Sequence, residues 1–427
     1  MTRCTWRRIR VADLVASGDA EVKTGPFGTQ LHASDYVESG TPVINVRNIG
    51  FGGIRADKLE YIAEETVRRL SGHVLHPGDI VFGRKGAVER HVLIRDRQSK
   101  WFQGSDCLRL RLRTNRVLPQ FLSYYLLTRD HQTWMMQQCS HGATMASLNQ
   151  DIVGRIEFSA PDPADQEAIA SILSAYDDLI ENNTRRIAIL EEMARRIYEE
   201  WFVRFRFPGH ENVQMVESEL GSVPEGWSVV AASNAVHVNP TTKVAKDGLK
   251  PFVAMNCLAD GSMLIDAWDQ RAGNSGSKFR NGDTLFARIT PCLENGKTGF
   301  VQFLPTDEIT AFGSTEFIIL RSRTLTPEFV YLLARSESFR ENAIKSMSGA
   351  SGRQRVRDAC FDTYLLPQPD EGTLRIFAEK VRPMFRLIQV LATKNTNLRT
   401  TRDLLLPKLI SGELDVSGLP QPEALTA

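Results

Sequence analysis

The chain is poor in the features that mark chemistry or a membrane. Its 427 residues hold only six cysteines (Cys4, Cys107, Cys139, Cys257, Cys292, Cys360), and no two stand at a metal-knuckle or redox spacing. A zinc ribbon and a disulfide framework are thereby excluded, and a reducing cytoplasm suits the pattern. No apolar run approaches the roughly 18–20 residues of a membrane helix. Met1 to Arg10 lacks the apolar stretch of a secretory signal, so none is expected. Neither sign of charge dominates, with 52 basic and 51 acidic side chains. Catalytic signatures are missing as well. Asn295-Gly296-Lys297-Thr298 ends like a phosphate loop, but Pro291 stands where the first glycine is required, so the backbone cradle cannot form. There is no His-Glu-x-x-His, no Gly-x-Ser-x-Gly and no Asp-Pro-Pro-Tyr-like methyltransferase motif, and the eight histidines do not cluster. No catalytic residue, metal or cofactor is expected on this chain.

What is present is a repeat. Gly104-Ser105 leading to Tyr125-Leu126-Leu127 is answered by Gly313-Ser314 leading to Tyr331-Leu332-Leu333. Gly142-Ala143-Thr144 is answered by Gly349-Ala350-Ser351, and Pro161-Asp162-Pro163 by Pro367-Gln368-Pro369. The offset stays at roughly 206–209 residues. A duplicated globular unit followed by a duplicated helix makes a pseudo-twofold object, suited to a two-part target or to two copies of one partner. Residues 1–160 carry 22 basic and 16 acidic side chains, which makes the first unit mildly basic; residues 161–206 carry 6 and 10. That is weak support for nucleic-acid binding.

Thr41–Val46 and Asp79–Phe82 read as short buried strands. Leu108 to Arg113 alternates with period two, placing leucines on one face and Arg109, Arg111 and Arg113 on the other, as on a solvated strand. Phe317–Leu320 is apolar throughout, so both its faces are expected to be covered. A long helix is predicted from Pro163, with Asp162 as cap, to Phe207-Pro208-Gly209. Its seam runs through Leu173, Ile180, Asn183, Ile187, Leu190 and Ile197 at a 3.5-residue period. A second long helix from about Asp370 carries Ile388, Leu391, Asn395, Leu398 and Leu405, with Pro383 expected to kink it or break its first turn. Narrow seams of this length favour mutual pairing, and one asparagine in each would fix register. The predicted class is α+β. Two globular units (1–160 and 207–367) are joined by two long antiparallel helices (161–206 and 368–412) forming a coiled coil, and a flexible tail (413–427) follows.

Several stretches resemble one family. Lys23-Thr24-Gly25-Pro26-Phe27-Gly28-Thr29-Gln30-Leu31 with Pro42-Val43-Ile44, and Pro77-Gly78-Asp79-Ile80-Val81-Phe82-Gly83-Arg84-Lys85-Gly86, resemble the opening of a target-recognition domain. Gly142 to Gln150, then Pro161, resembles its end. Leu190 to Val203 and Leu404 to Leu414 resemble the central and distal conserved helices. In this order, and duplicated, they resemble the specificity subunit of type I restriction–modification enzymes over essentially the whole chain. The second unit departs in two places. Lys243 to Lys250 stands for the Gly-Pro-Phe-Gly segment, and Ala287-Arg288-Ile289-Thr290 for Gly83-Arg84-Lys85-Gly86.

The resemblance implies a subunit without catalysis of its own. Each head would read half of a split sequence in double-stranded DNA, and the helix pair would set the gap. Two modification subunits would dock and bring S-adenosylmethionine for adenine-N6 methylation, and restriction subunits would bring ATP-driven translocation and cleavage. DNA contacts are expected from Lys23, Arg47, Asn48, Arg84 and Lys85 in the first unit, and from Arg288, Lys297, Arg353, Gln354 and Arg355 in the second. The residues also admit another reading: a non-catalytic interaction protein with two heads on a coiled-coil strut and no nucleic acid.

Overall fold

The computed structural model describes residues 6–56, 58–139, 146–350 and 352–418. It divides into two compact units. One comprises Met1–Asp178 with Leu398–Ala427, and the other Leu179–Asn397. The boundary runs through both long helices, so each unit is one head with its own stretch of the helix pair.

In the first unit a five-stranded sheet has the order Ala20–Thr24, Cys107–Leu112, Ile80–Gly83, His91–Leu93, Phe51–Gly52. A four-stranded sheet has the order Tyr36–Val37, Glu60–Ile62, Thr41–Ile44, Phe102–Gln103, and its last pair is parallel. Arg7–Arg10 pairs with Glu157–Ala160. The second unit repeats this plan. Its first sheet runs Val236–Val238, Phe317–Ser322, Thr284–Ala287, Thr298–Phe300. Its second runs Asp269–Arg271, Lys250–Val253, Thr310–Gly313, Ser277–Arg280, again with one parallel pair. Ser228–Ala231 with Leu365–Gln368 repeats the small ladder.

The repeat is real, but its residue pairing differs by one or two places from the sequence matches. Gly104 N donates to Ile44 O as Ser314 N donates to Val253 O, so Gly104 corresponds to Ser314 rather than Gly313. Likewise Gln166 N reaches Asp162 O and Leu374 N reaches Asp370 O at the two helix starts, which makes Asp162 the counterpart of Asp370. Gly142-Ala143-Thr144 and Ser351 lie outside the described residues.

The strand Cys107–Leu112 corrects a sequence expectation. Arg109 is 1% exposed and donates to Gly72 O (3.1 Å) and to Glu21 (3.2 Å). Arg111 grips Asp79 with two bonds of 2.7 Å, and Arg321 grips Asp283 identically in the second head. Period-two alternation signals two faces but not which one meets water: here the loop from Gly72 to Asp79 covers Arg109 and Arg111, while Arg113 stays exposed as expected. Both carboxylates are buried, so removing one leaves an uncompensated guanidinium. Asp79→Ala and Asp283→Ala should each destabilise their own head by about 3 kcal/mol. Hydrogen exchange across the affected sheet would show this, and unchanged protection would remove the ion pair from the account. Phe317–Leu320 is buried throughout, as its composition predicts.

The first long helix spans Pro163–Tyr198 and passes into a π turn, Glu199–Val203. It is finished by Arg204, before the Pro208 expected to stop it, and Phe205 then takes a left-handed φ of 57°. The second helix, Glu371–Ile410, is not broken at Pro383. Asp370 caps it, accepting from Thr373 N at 3.0 Å. All the seam residues named above are buried or half-buried. In the second unit Asn183 Nδ2 donates to Asn395 Oδ1 (3.0 Å), and Asn395 Nδ2 reaches Ile180 O (3.3 Å) and Thr184 Oγ1 (3.2 Å). Contacts here run antiparallel: Asn183 meets Asn395, while Trp201 and Phe202 meet Phe377. In the first unit Asp177 joins both helices to the head, accepting from Arg402 NH1 (2.6 Å) and from the Tyr124 hydroxyl (2.7 Å). The tail after Gly412 does not fray at once. Trp6 packs on Gly412, and Val416 is buried in the core of the first unit.

Candidate nucleic-acid interface

In each head several loops gather at one end of the sheet that holds Cys107–Leu112 or Phe317–Ser322. In the first unit Gly25 N donates to Cys107 O, Arg84 N to Asp106 O, Leu148 N to Arg84 O and Gly86 N to Ala146 O. The loops after Thr24 and Gly83, before Cys107 and before Gln150 therefore form one rim. Gln150 Nε2 closes it on Thr24 Oγ1 at 3.1 Å. In the second unit Arg288 N donates to Glu316 O, Val356 N to Arg288 O and Thr290 N to Gln354 O, building the equivalent rim. Arg288 is thus the counterpart of Arg84, and Glu316 of Asp106.

The two rims carry different chemistry at matched places. In the first, Arg84 is half-exposed and has no side-chain partner among the described residues, while Lys85 Nζ stands 3.2 Å from Asp106. In the second, Arg288 turns inward, donating to Val356 O at 3.0 Å. Arg355 holds Glu316 by a fork at 2.6–3.1 Å, and its bonds keep the Glu316 carboxyl below the usual carboxylate range. The pair stays ionised and its guanidinium stands fixed at the surface. Arg353 is exposed with no side-chain partner among the described residues, and Gln354 lies beside it.

Four of the expected contact residues are largely committed inside the protein. Asn48 is 0% exposed; its Oδ1 accepts from Asn45 N and its Nδ2 donates to Arg55 O, so no adenine-reading edge is left. The sequence shows an amide after a strand but not the turn that consumes it. Lys23 Nζ makes one bond, to Gly72 O (3.1 Å), Lys297 Nζ bonds to Leu258 O (2.6 Å), and Arg288 is held as described. Arg47 is half-exposed and paired with Glu60 at 2.7 Å. Sequence reasoning singled out the Gly-Pro-Phe-Gly segment without seeing what it displays. Gly25 and Pro26 are buried, and Phe27 is 61% exposed at the rim. Among the described residues no group of three or more His, Cys, Asp or Glu side chains could hold a metal, and no helix is long and apolar enough to cross a membrane.

Each head is a mixed helix-and-sheet unit with polar loops gathered at one end of a sheet and a stretch of a paired long helix. The family described as "Type I restriction modification DNA specificity domain" matches residues 31–192. The specificity subunit of the type I restriction enzyme MjaIX of Methanocaldococcus jannaschii is 26% identical, over 84% of this chain and 82% of that one. The HindI specificity subunit of Haemophilus influenzae is 22% identical over 87% and 94%. The crystal structure of a type I S subunit from M. genitalium shares the fold, with a TM-score of 0.58 at 14% identity, covering 96% of this chain and 97% of that one. Residues 31–192 thus match a type I DNA specificity domain, and the chain is similar over most of its length to the specificity subunits of type I restriction enzymes.

Proposed function

We propose that this chain is the DNA-reading subunit of a type I restriction–modification complex, with each head reading a different half of a split site. The observation that carries this reading is the pair of matched rims. Arg84 and Lys85 with Asp106 stand in one head, and Arg353, Gln354 and Arg355 with Glu316 stand in the other. A scaffold has no need of unlike basic loops at equivalent places. Partnerless arginines suit guanine edges or phosphates, and a glutamine suits adenine.

The helix pair would set the spacing between half-sites and carry two modification subunits. Those would supply S-adenosylmethionine and methylate adenine at N6, and restriction subunits, where present, would supply ATP-driven cleavage. The complex would work in the cytoplasm, where its DNA is. Leu179, Met193 and Leu404 remain exposed on the long helices and are available for such docking; Tyr198, Phe202 and Leu406 are buried within the chain.

The test is a footprint of the chain with its modification subunit on DNA. Arg84→Ala and Arg353→Ala should each weaken binding by about 1–3 kcal/mol with the fold intact. Affinity should fall steeply with salt. Binding that ignores both salt and these substitutions would favour the strut without nucleic acid.

A further inference from the structure

Three large aromatics are exposed among the described residues: Phe27 (61%), Phe51 (49%) and Trp268 (40%). Two of them have partners. Arg90 lies over the Phe51 ring at 5.3 Å, and Trp268 stacks on Phe303 with centroids 4.2 Å apart. Phe27 has no ring or cation partner among the described residues. Leaving a phenylalanine ring in water forfeits about 1.5–3 kcal/mol of burial, so an isolated one at a functional edge asks for an occupant.

The loop that presents it is held firmly. Gly25 N donates to Cys107 O, and a Cβ on Gly25 would lie 2.0 Å from Gly104 O, so only glycine admits this approach of the two loops. Pro26 is buried behind the ring, and Phe27 O accepts from Gln30 N at 2.7 Å. The ring thus stands on a fixed turn. That turn is two hydrogen-bonded steps from Arg84, because residues 106 and 107 accept from Arg84 N and Gly25 N respectively. Basic residues beside an exposed apolar wedge are the arrangement by which proteins part a base step, and flexible pyrimidine–purine steps part most readily. Among the described residues no exposed aromatic stands where the strand Val236–Val238 of the second head ends. Asn239 follows instead, with its amide spent on Asp358 (2.8 Å) and its oxygen on Ile319 N (3.0 Å).

Resting on the DNA-reading function above, we infer that Phe27 inserts at one base step of the half-site read by the first head, which is thereby chosen partly by its deformability. The second head carries no phenylalanine at this place; its Lys243–Lys250 segment exposes Leu249 (70%) instead.

The test starts from the DNA sequence that the wild-type complex selects from a random duplex library. 2-Aminopurine is then placed in turn at each position of the half whose selection Arg84→Ala alters. Beside the adenine that the modification subunit flips out, wild-type binding should brighten one further step. Phe27→Ala should abolish that signal and weaken binding about tenfold, and Phe27→Trp should restore both. Phe27 is exposed, so the thermal transition of the chain should not move. Equal brightening of that step by Phe27→Ala, or brightening at no further step, overturns the insertion and leaves the DNA-reading function standing. Loss of assembly with the modification subunit in the absence of DNA also overturns it, placing the ring at a protein contact. Failure of the wild type to select any sequence removes the DNA reading itself.

Discussion

Adding one heptad to both long helices should shift the accepted gap between half-sites by about three base pairs. The insertions belong between Asp178 and Leu179 and between Asn397 and Leu398, where the boundary between the units crosses the helices. Seven helical residues add about 10 Å, against about 3.4 Å per base pair. These sites leave Asp177–Arg402 intact in one unit and Asn183–Asn395 in the other. On the original site only one head would find its half, so affinity should fall by about a thousandfold or more, toward non-specific binding. A duplex with the longer spacer should recover it. If the lengthened protein still prefers the original spacing, the helices do not set the gap.

Mild acid should loosen the first head before the second. His91 is buried with Nε2 on Ser123 Oγ (2.8 Å) and no partner for Nδ1. Burial, helped by His131 close by, pushes its pKa down to about 3, and burial pushes His131 down to about 4. The unfolded chain therefore binds more protons than the folded one below about pH 6.5, and stability is lost as the pH falls through that window. At pH 5 the loss is about 2 kcal/mol for each histidine. In the second unit the half-buried Glu191 shifts in the opposite sense. Glu191 accepts from Ser262 Oγ and Met263 N, and burial raises its pKa, so the folded form keeps its proton to higher pH and gains from acidification. Hydrogen exchange, corrected for intrinsic rates, should show the sheet around Ile80–Gly83 opening at pH 5 while that around Thr284–Ala287 holds. Parallel loosening of both heads would contradict this.

The long helices were legible in the sequence because a 3.5-residue seam is a local pattern that survives any packing partner. Both seam asparagines were visible, and the structure supplies what the sequence could not, that they bond to each other. The duplication was legible too, but small gaps within it made Gly313 look like the partner of Gly104 where backbone bonding makes it Ser314. The misreadings share one cause. Arg109, Asn48, Lys23 and Lys297 look like exposed polar residues by type and spacing, yet backbone carbonyls outside their own elements accept their hydrogen bonds, from sequence-distant loops for the cations and from the adjoining turn for Asn48. Phe27 stands in the sequence only as part of a motif, and its exposure at the rim is visible in the structure alone. Pro383 was expected to interrupt its helix, but it sits on the exposed side of a segment whose apolar stripe continues through Val381, Phe385 and Ile388. Packing along that stripe outweighs one missing hydrogen bond.

The central claim is that two unlike heads read two halves of one site. Sequence selection from a random duplex library measures it most directly, using the assembled complex with the wild-type chain, Arg84→Ala and Arg353→Ala side by side. The expected result is one split motif for the wild type, degraded in one half by the first substitution and in the other half by the second. A single unbroken motif, or both substitutions degrading the same half, would contradict it.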